Sequence, residues 1–127
     1  MKKNGILNGA LNAAISALGH GDLVVVADCG LPIPLGTPTV DLALVQGTPG
    51  FLQVLDALRN DVIFEGCTAA AESTVGQAGE WIKDRFPAVE YIPHEELKQL
   101  TGTAKLVVRS GEATPYANVI LRCGVSF

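Results

Sequence analysis

Charge is scarce in this chain: Asp, Glu, Lys and Arg make up 17% of its 127 residues, against about 25% in an ordinary soluble domain. So thin a polar shell points to apolar surface facing other copies of the chain, with a monomer built on a large core as the rival reading. Lys2 and Lys3 do not extend into a basic run, and the net charge is −4. A phosphate-tracking surface is therefore not expected, which disfavours nucleic acid as a partner. No apolar stretch reaches the ~20 residues that a bilayer demands. The opening segment, with Asn4, Gly5, Asn8, Gly9 and Asn12, is too polar for a signal-peptide core. A cytoplasmic protein without membrane contact is expected. Cys29, Cys67 and Cys123 show neither CxxC nor metal-ligand spacing, so they read as small buried hydrophobes rather than redox or metal groups. Asp28-Cys29-Gly30-Leu31-Pro32, after the first apolar run, lacks both GxGxxG and a P-loop lysine, and no serine elbow or zinc motif occurs.

What is present is an alternation of periods. Leu7, Leu11, Ile15 and Leu18 mark one helix face, with Asn8 placed to cap it and Gly19 to end it. Leu23 to Ala27 is an unbroken apolar run between Asp22 and Asp28, as in a strand covered on both faces. Gly30 to Pro38 carries three prolines and reads as a stiff loop. Val40 to Val45 is expected as a strand, and Pro49 suits the first turn of a helix bearing Phe51, Leu52, Leu55 and Leu58. Val62 to Phe64 reads as a short strand, Thr68 to about Phe86 as an alanine-rich helix, and Val89 to Ile92 as a strand. Pro93 opens a helix with Leu97 and Leu100, and Leu106–Val108 and Val119–Leu121 are the last strands. The expectation is one α/β domain over 1–127, a largely parallel sheet of about six strands with helices on both faces.

Several polar residues stand where chemistry could happen, and each has a plainer explanation. His20, between Gly19 and Gly21, is either a histidine at a helix end or an accessible proton donor and acceptor. Asp28 ends an apolar strand, where open α/β sheets place ligands; it either caps a turn or accepts from a ligand's hydroxyls. His94 sits in a first helical turn with Glu95 and Glu96, and Lys98 lies one turn on, on the same face; both are commonly just surface residues. Tyr116 and Asn118, in the loop from Arg109 to Asn118, either form a packed turn or offer a ring and an amide to a polar ligand. The residues alone reach only a polar-ligand site on an α/β domain.

Taken together, these segments resemble the ribose pyranase family, with fucose mutarotases as more distant relatives. The blocks that carry the likeness are 1–8, Leu18-Gly19-His20-Gly21-Asp22, 28–34, His94-Glu95-Glu96-Leu97-Lys98, 108–118 and Cys123-Gly124-Val125-Ser126-Phe127. The resemblance implies that His20 is the catalytic acid. It also implies that Asp28 and His94 contact a sugar and that Tyr116, Ala117 and Asn118 form a second binding segment, with Lys98 a further candidate. It implies a cytoplasmic homo-oligomer, a homopentamer or a homodecamer of two stacked rings, that binds D-ribose without metal or cofactor.

The implied reaction is exchange of β-D-ribopyranose with β-D-ribofuranose through the open-chain aldehyde, supplying furanose to a sugar kinase. Opening a hemiacetal needs one proton given to the ring oxygen and one taken from the anomeric hydroxyl. Spontaneous opening has a barrier of roughly 20–22 kcal/mol, and one positioned acid–base pair contributes about 3–5 kcal/mol. Geometry adds a condition. A strand over residues 22–27, at ~3.3 Å per residue, sets His20 and Asp28 roughly 20 Å apart, too far for one pentose. Either the strand is shorter and bent, or the sites combine residues of neighbouring subunits; shared sites are the expected solution. The alternatives are a mutarotase for fucose or another aldose, and a non-catalytic ribose-binding subunit of an uptake or regulatory assembly.

Overall fold

The computed structural model describes residues 1–127. Six strands form one sheet: β1 (Leu23–Ala27), β2 (Thr39–Asp41), β3 (Phe64–Ala70), β4 (Glu90–Ile92), β5 (Leu106–Arg109) and β6 (Val119–Cys123). Their order is β2-β5-β1-β6-β3-β4. The β1–β5, β2–β5 and β3–β4 pairs are parallel, whereas β6 runs antiparallel to both β1 and β3. The helices are α1 (Gly9–Ser16), α2 (Phe51–Asp61), α3 (Gln77–Arg85) and α4 (His94–Thr101), with a 3₁₀ turn at Ala71–Val75.

The apolar run of β1 is explained by two cores. Val24 and Val26 face a cluster built with Leu11 of α1, Phe51, Val54, Leu55 and Leu58 of α2, and Ile82 of α3. Val25 and Ala27 face the opposite cluster, with Leu97 of α4, Leu31, Val107 and Ile120. All four are 0% exposed. Helices thus lie on both faces, but α4 alone supplies a helix to the second, so the sheet is covered unevenly.

Several boundaries differ from the sequence expectation, each for a physical reason. The Thr68–Phe86 segment is not one helix: β3 extends to Ala70, a 3₁₀ turn follows, and only Gln77–Arg85 is α-helical. Cys67, Ala69 and Ala70 are buried in the middle of the sheet, where pairing with β6 and β4 overrides the helix preference of alanine. Of the short strand expected at Val62–Phe64, only Phe64 belongs to β3; Val62 is the C-cap of α2. β2 stops at Asp41, whose Oδ1 accepts from Ala43 N at 3.0 Å and turns the chain, so Val40–Val45 is not one strand. Asn8 caps α1 as expected, its Oδ1 accepting from Leu11 N at 2.9 Å, but the helix ends at Ser16 and Gly19 is not its cap. Leu7 lies outside that helix and is exposed. Pro49 precedes α2 rather than entering its first turn; Gly50 is the N-cap, and its N–H donates to Gln53 Oε1 at 2.9 Å.

One glycine fixes how the loop after β5 is seated. Gly111 N donates to Pro49 O at 2.8 Å, and a Cβ at Gly111 would fall 2.6 Å from both Thr48 N and Val45 O. The 45–49 segment therefore closes on bare backbone. Gly111→Ala should lower unfolding stability by about 1–3 kcal/mol through overpacking. Chemical denaturation checks this; an unchanged midpoint and slope would show that the segment yields freely.

Candidate active site

Asp28 follows β1, and the chain around it is held by reciprocal bonds. Asp28 N donates to Asn118 Oδ1 at 2.8 Å, and Asn118 Nδ2 donates to Asp28 Oδ2 at 2.9 Å. Asp28 Oδ1 in turn accepts from Gly30 N at 2.9 Å. The start of β6 is thereby tied to the end of β1, and the Asp28 carboxylate is fixed in direction. Beside it, Ser110 Oγ donates to Ala27 O at 2.7 Å.

A cavity of about 390 Å³ opens at this end of the sheet, within the usual span of small-molecule sites. Asp28, His94, Lys98, Glu112 and Tyr116 are among the residues lining it. The His94 and Tyr116 rings meet edge to face, with centroids 5.1 Å apart. Tyr116 adopts φ +61°, the left-handed region that bulky residues seldom occupy, so the loop around it over-determines where its ring stands. His94 Nδ1 is buried and has no hydrogen-bond partner. Such an orphan costs about 1–3 kcal/mol unless a ligand supplies the missing group. Lys98 Nζ pairs with Glu95 Oε1 at 2.8 Å at the cavity edge.

Ala117 and Asn118 follow Tyr116, are buried and do not line the cavity. The amide of Asn118 is already bonded to Asp28, so its reach into the cavity is indirect. The residues assembled here are Asp28, His94, Tyr116 and Lys98, with Asn118 bonded to Asp28.

His20 is not among them. It stands before β1, at the other end of the strand, in a turn held by Gly19 N donating to Asp22 Oδ2 at 2.7 Å and Gly21 N donating to Cys123 O at 2.9 Å. Gly21 has φ +83°, a conformation that favours glycine. The His20 side chain is 59% exposed, and it lines a separate, open cavity with Ile63, Val125 and Phe127. The ring is therefore accessible rather than sealed in the core. The five residues of β1 lie between His20 and Asp28, so within one chain the two stay roughly 20 Å apart at ~3.3 Å per residue.

Two carboxylates that support the cavity at Asp28 were missed in the sequence. Glu72 Oε2 accepts from His94 N at 2.8 Å and so seats the start of α4. Glu112 Oε1 accepts from Phe51 N at 3.0 Å at the start of α2, and Glu112 Oε2 accepts from Thr114 Oγ1 at 2.9 Å. Burial pushes the Glu112 carboxyl up, but the bonds from Phe51, Thr114 and Ala113 prevail and hold it below its ordinary 4.5. Neither partner could be read from spacing, because the contacts span 22 and 61 residues.

A carboxyl lowered on folding stabilises the fold above its unfolded value, and that stability is lost as pH falls through the folded value. Glu112→Gln should therefore be less stable than the parent at neutral pH and lose less on acidification below pH 4.5. Stability against pH by denaturant titration checks the sign; parallel curves for the two proteins would remove Glu112 as an acid-sensitive anchor.

Comparison with known proteins adds what the geometry leaves open. Residues 1–126 match the model of the RbsD / FucU transport protein family. A D-ribose pyranase of Streptomyces avermitilis is 54% identical, with 100% of both chains covered. The structure of Bacillus subtilis RbsD complexed with D-ribose superposes with a TM-score of 0.94 at 44% identity, again over 100% of both chains. A fucose mutarotase of Streptococcus pneumoniae, solved with L-fucose, shares the fold at 20% identity and a TM-score of 0.77, covering 95% of each chain.

Proposed function

The chain belongs to the RbsD / FucU transport protein family, and from that premise we propose that it is a D-ribose pyranase, an isomerase exchanging β-D-ribopyranose with β-D-ribofuranose. The observation that carries this reading is the end-to-end match, in sequence and backbone, to relatives named for that activity and solved with that sugar. The chemistry agrees with the residues. Ring opening requires protons to be given and taken at two oxygens, and neither a metal, a hydride carrier nor a covalent nucleophile is called for. The furanose product suits a kinase that takes the five-membered ring.

In this reading Asp28, His94 and Tyr116 grip the sugar. Asp28 accepts from hydroxyls, the unpartnered His94 Nδ1 meets a polar group of the ligand, and the Tyr116 ring packs on the apolar face of the sugar. Ala117 and Asn118 complete the second binding segment with Tyr116, Asn118 acting by aiming Asp28, and Lys98 stands at the rim. His20 is the catalytic acid, and it reaches the sugar from a neighbouring subunit. The support for sharing is the length of β1 between the two halves and the exposed Ile63, Val125 and Phe127 around His20, apolar surface that a second copy would cover. A closed ring, one homopentamer or two stacked as a homodecamer, repeats that contact without leaving an end. No helix is long and apolar enough to cross a membrane, and three free thiols suit the reducing cytoplasm.

Saturation-transfer NMR between ribose ring forms tests the activity. The purified protein should speed exchange, and His20→Ala should lower the rate about 10²–10⁴-fold while ribose still binds. Binding without acceleration by the parent protein would instead identify a carrier subunit, and faster exchange of fucose or another aldose than of ribose would move the assignment to a different mutarotase. Shared sites make a separate demand. Inactive His20→Ala and Asp28→Ala chains, dissociated and reassembled together, should regain part of the activity, because some interfaces then carry both native residues. No recovery after a demonstrated exchange of subunits would confine the site to one chain.

A further inference from the structure

The outer face of the His20 ring is engaged by a side chain that the mechanism has not used. His20 Nε2 lies 3.1 Å from Glu65 Oε2 and 3.2 Å from Glu65 Oε1. Glu65 belongs to β3, at the point where pairing with β6 slips between Phe64 and Gly66. A bulge of this kind redirects one side chain out of the strand's alternation, and here it turns the carboxylate toward the His20 turn. The opposing strand makes room. Gly124 N donates to Ile63 O at 2.9 Å, and a Cβ at Gly124 would sit 3.4 Å from Glu65 Cβ and 3.6 Å from Glu65 Oε2. The preceding residue, Cys123, holds the His20 turn through Gly21. The end of β6 and the glycine after it thus set both partners, and Arg122 Nε, 3.8 Å from Glu65 Oε1, flanks the carboxylate.

We propose that Glu65 is the positioning residue for His20, holding Nε2–H so that Nδ1 is the nitrogen that exchanges protons with the sugar. The inference rests on the pyranase reading above. An ionised carboxylate accepts and cannot donate, so a hydrogen bond at Nε2 requires the proton there, and the neutral ring keeps its lone pair on Nδ1. The cycle then balances. Nδ1–H of the imidazolium protonates the pyranose ring oxygen as its bond to C1 breaks, while the anomeric hydroxyl gives its proton to the Asp28 carboxylate and becomes the aldehyde. The ring closes when the C4 hydroxyl attacks C1. That hydroxyl's proton passes to Nδ1, and Asp28 returns its proton to the carbonyl oxygen. His20 Nε2–H keeps donating to Glu65 throughout, and the carboxylate offsets the charge of the imidazolium.

The pair is exposed on both sides, 59% for His20 and 42% for Glu65, and exposed pairs of this kind add little to stability. Its removal should therefore leave the fold intact and act on turnover. Glu65→Ala should lower kcat for ribose exchange about 10–100-fold with KM for ribose little changed, and Glu65→Asp, which keeps the charge one methylene shorter, should recover part of the loss. Imidazole nitrogen-15 shifts of the parent protein give a readout that requires no variant: in the neutral ring of His20 the proton should reside on Nε2. A proton on Nδ1, or a Glu65→Ala kcat within about twofold of the parent, overturns the proposal. A parent protein that does not accelerate ribose exchange defeats the pyranase reading instead, and the nitrogen shifts still decide whether Glu65 holds Nε2.

Discussion

β1 is a short strand with no freedom on either side. Its four inner residues are packed into two cores at once, Val24 and Val26 into the α1–α3 layer and Val25 and Ala27 into the α4 layer. Its backbone is paired with β5 on one edge and β6 on the other. Neither translation nor rotation is open to such a strand without emptying a core, and interiors packed to this density resist it. His20 and Asp28 stand beyond its two ends. The separation of His20 from Asp28 is therefore a fixed property of the subunit rather than of a mobile loop.

At the Asp28 end, order is maintained by bonds between loops that are distant in sequence. Asn118 answers both the backbone and the carboxylate of Asp28 across 90 residues, Glu112 reaches the start of α2, and Glu72 reaches the start of α4. Two of these are carboxylates at the beginning of a helix, where backbone N–H groups lack partners and the dipole is positive. The cavity wall comes from three segments, 28–32, 94–98 and 112–116, and each bond satisfies a group that burial would otherwise leave costly. The other end is built more openly, around a turn and a surface pair.

The strands of the fold were legible wherever one physical cause dominated. The run Leu23–Ala27 announces a doubly covered strand, and the prolines of 30–38 forbid a helix there. Thr68–Ala70 misleads for a clear reason: alanine favours a helix by default, yet its small side chain is also what a crowded central strand accepts. The antiparallel entry of β6 was not legible either, since periodicity says whether a strand is buried but not which way it runs. In the site, single positions such as Asp28 and His94 could be named from their place beside strand and helix ends. Glu65 and Glu112 could not, because an isolated glutamate shows in sequence neither the bulge nor the distant amide that gives it a purpose.

The left-handed backbone at Tyr116 bears on any ligand that the cavity beside it would take. A loop already committed to one conformation cannot mould itself around whichever isomer arrives. The sugar passes through a six-membered ring, an open chain and a five-membered ring while its hydroxyls keep their chemistry, so a preset cradle must tolerate all three shapes. A cradle of that kind has no means of clasping one form more tightly by closing on it.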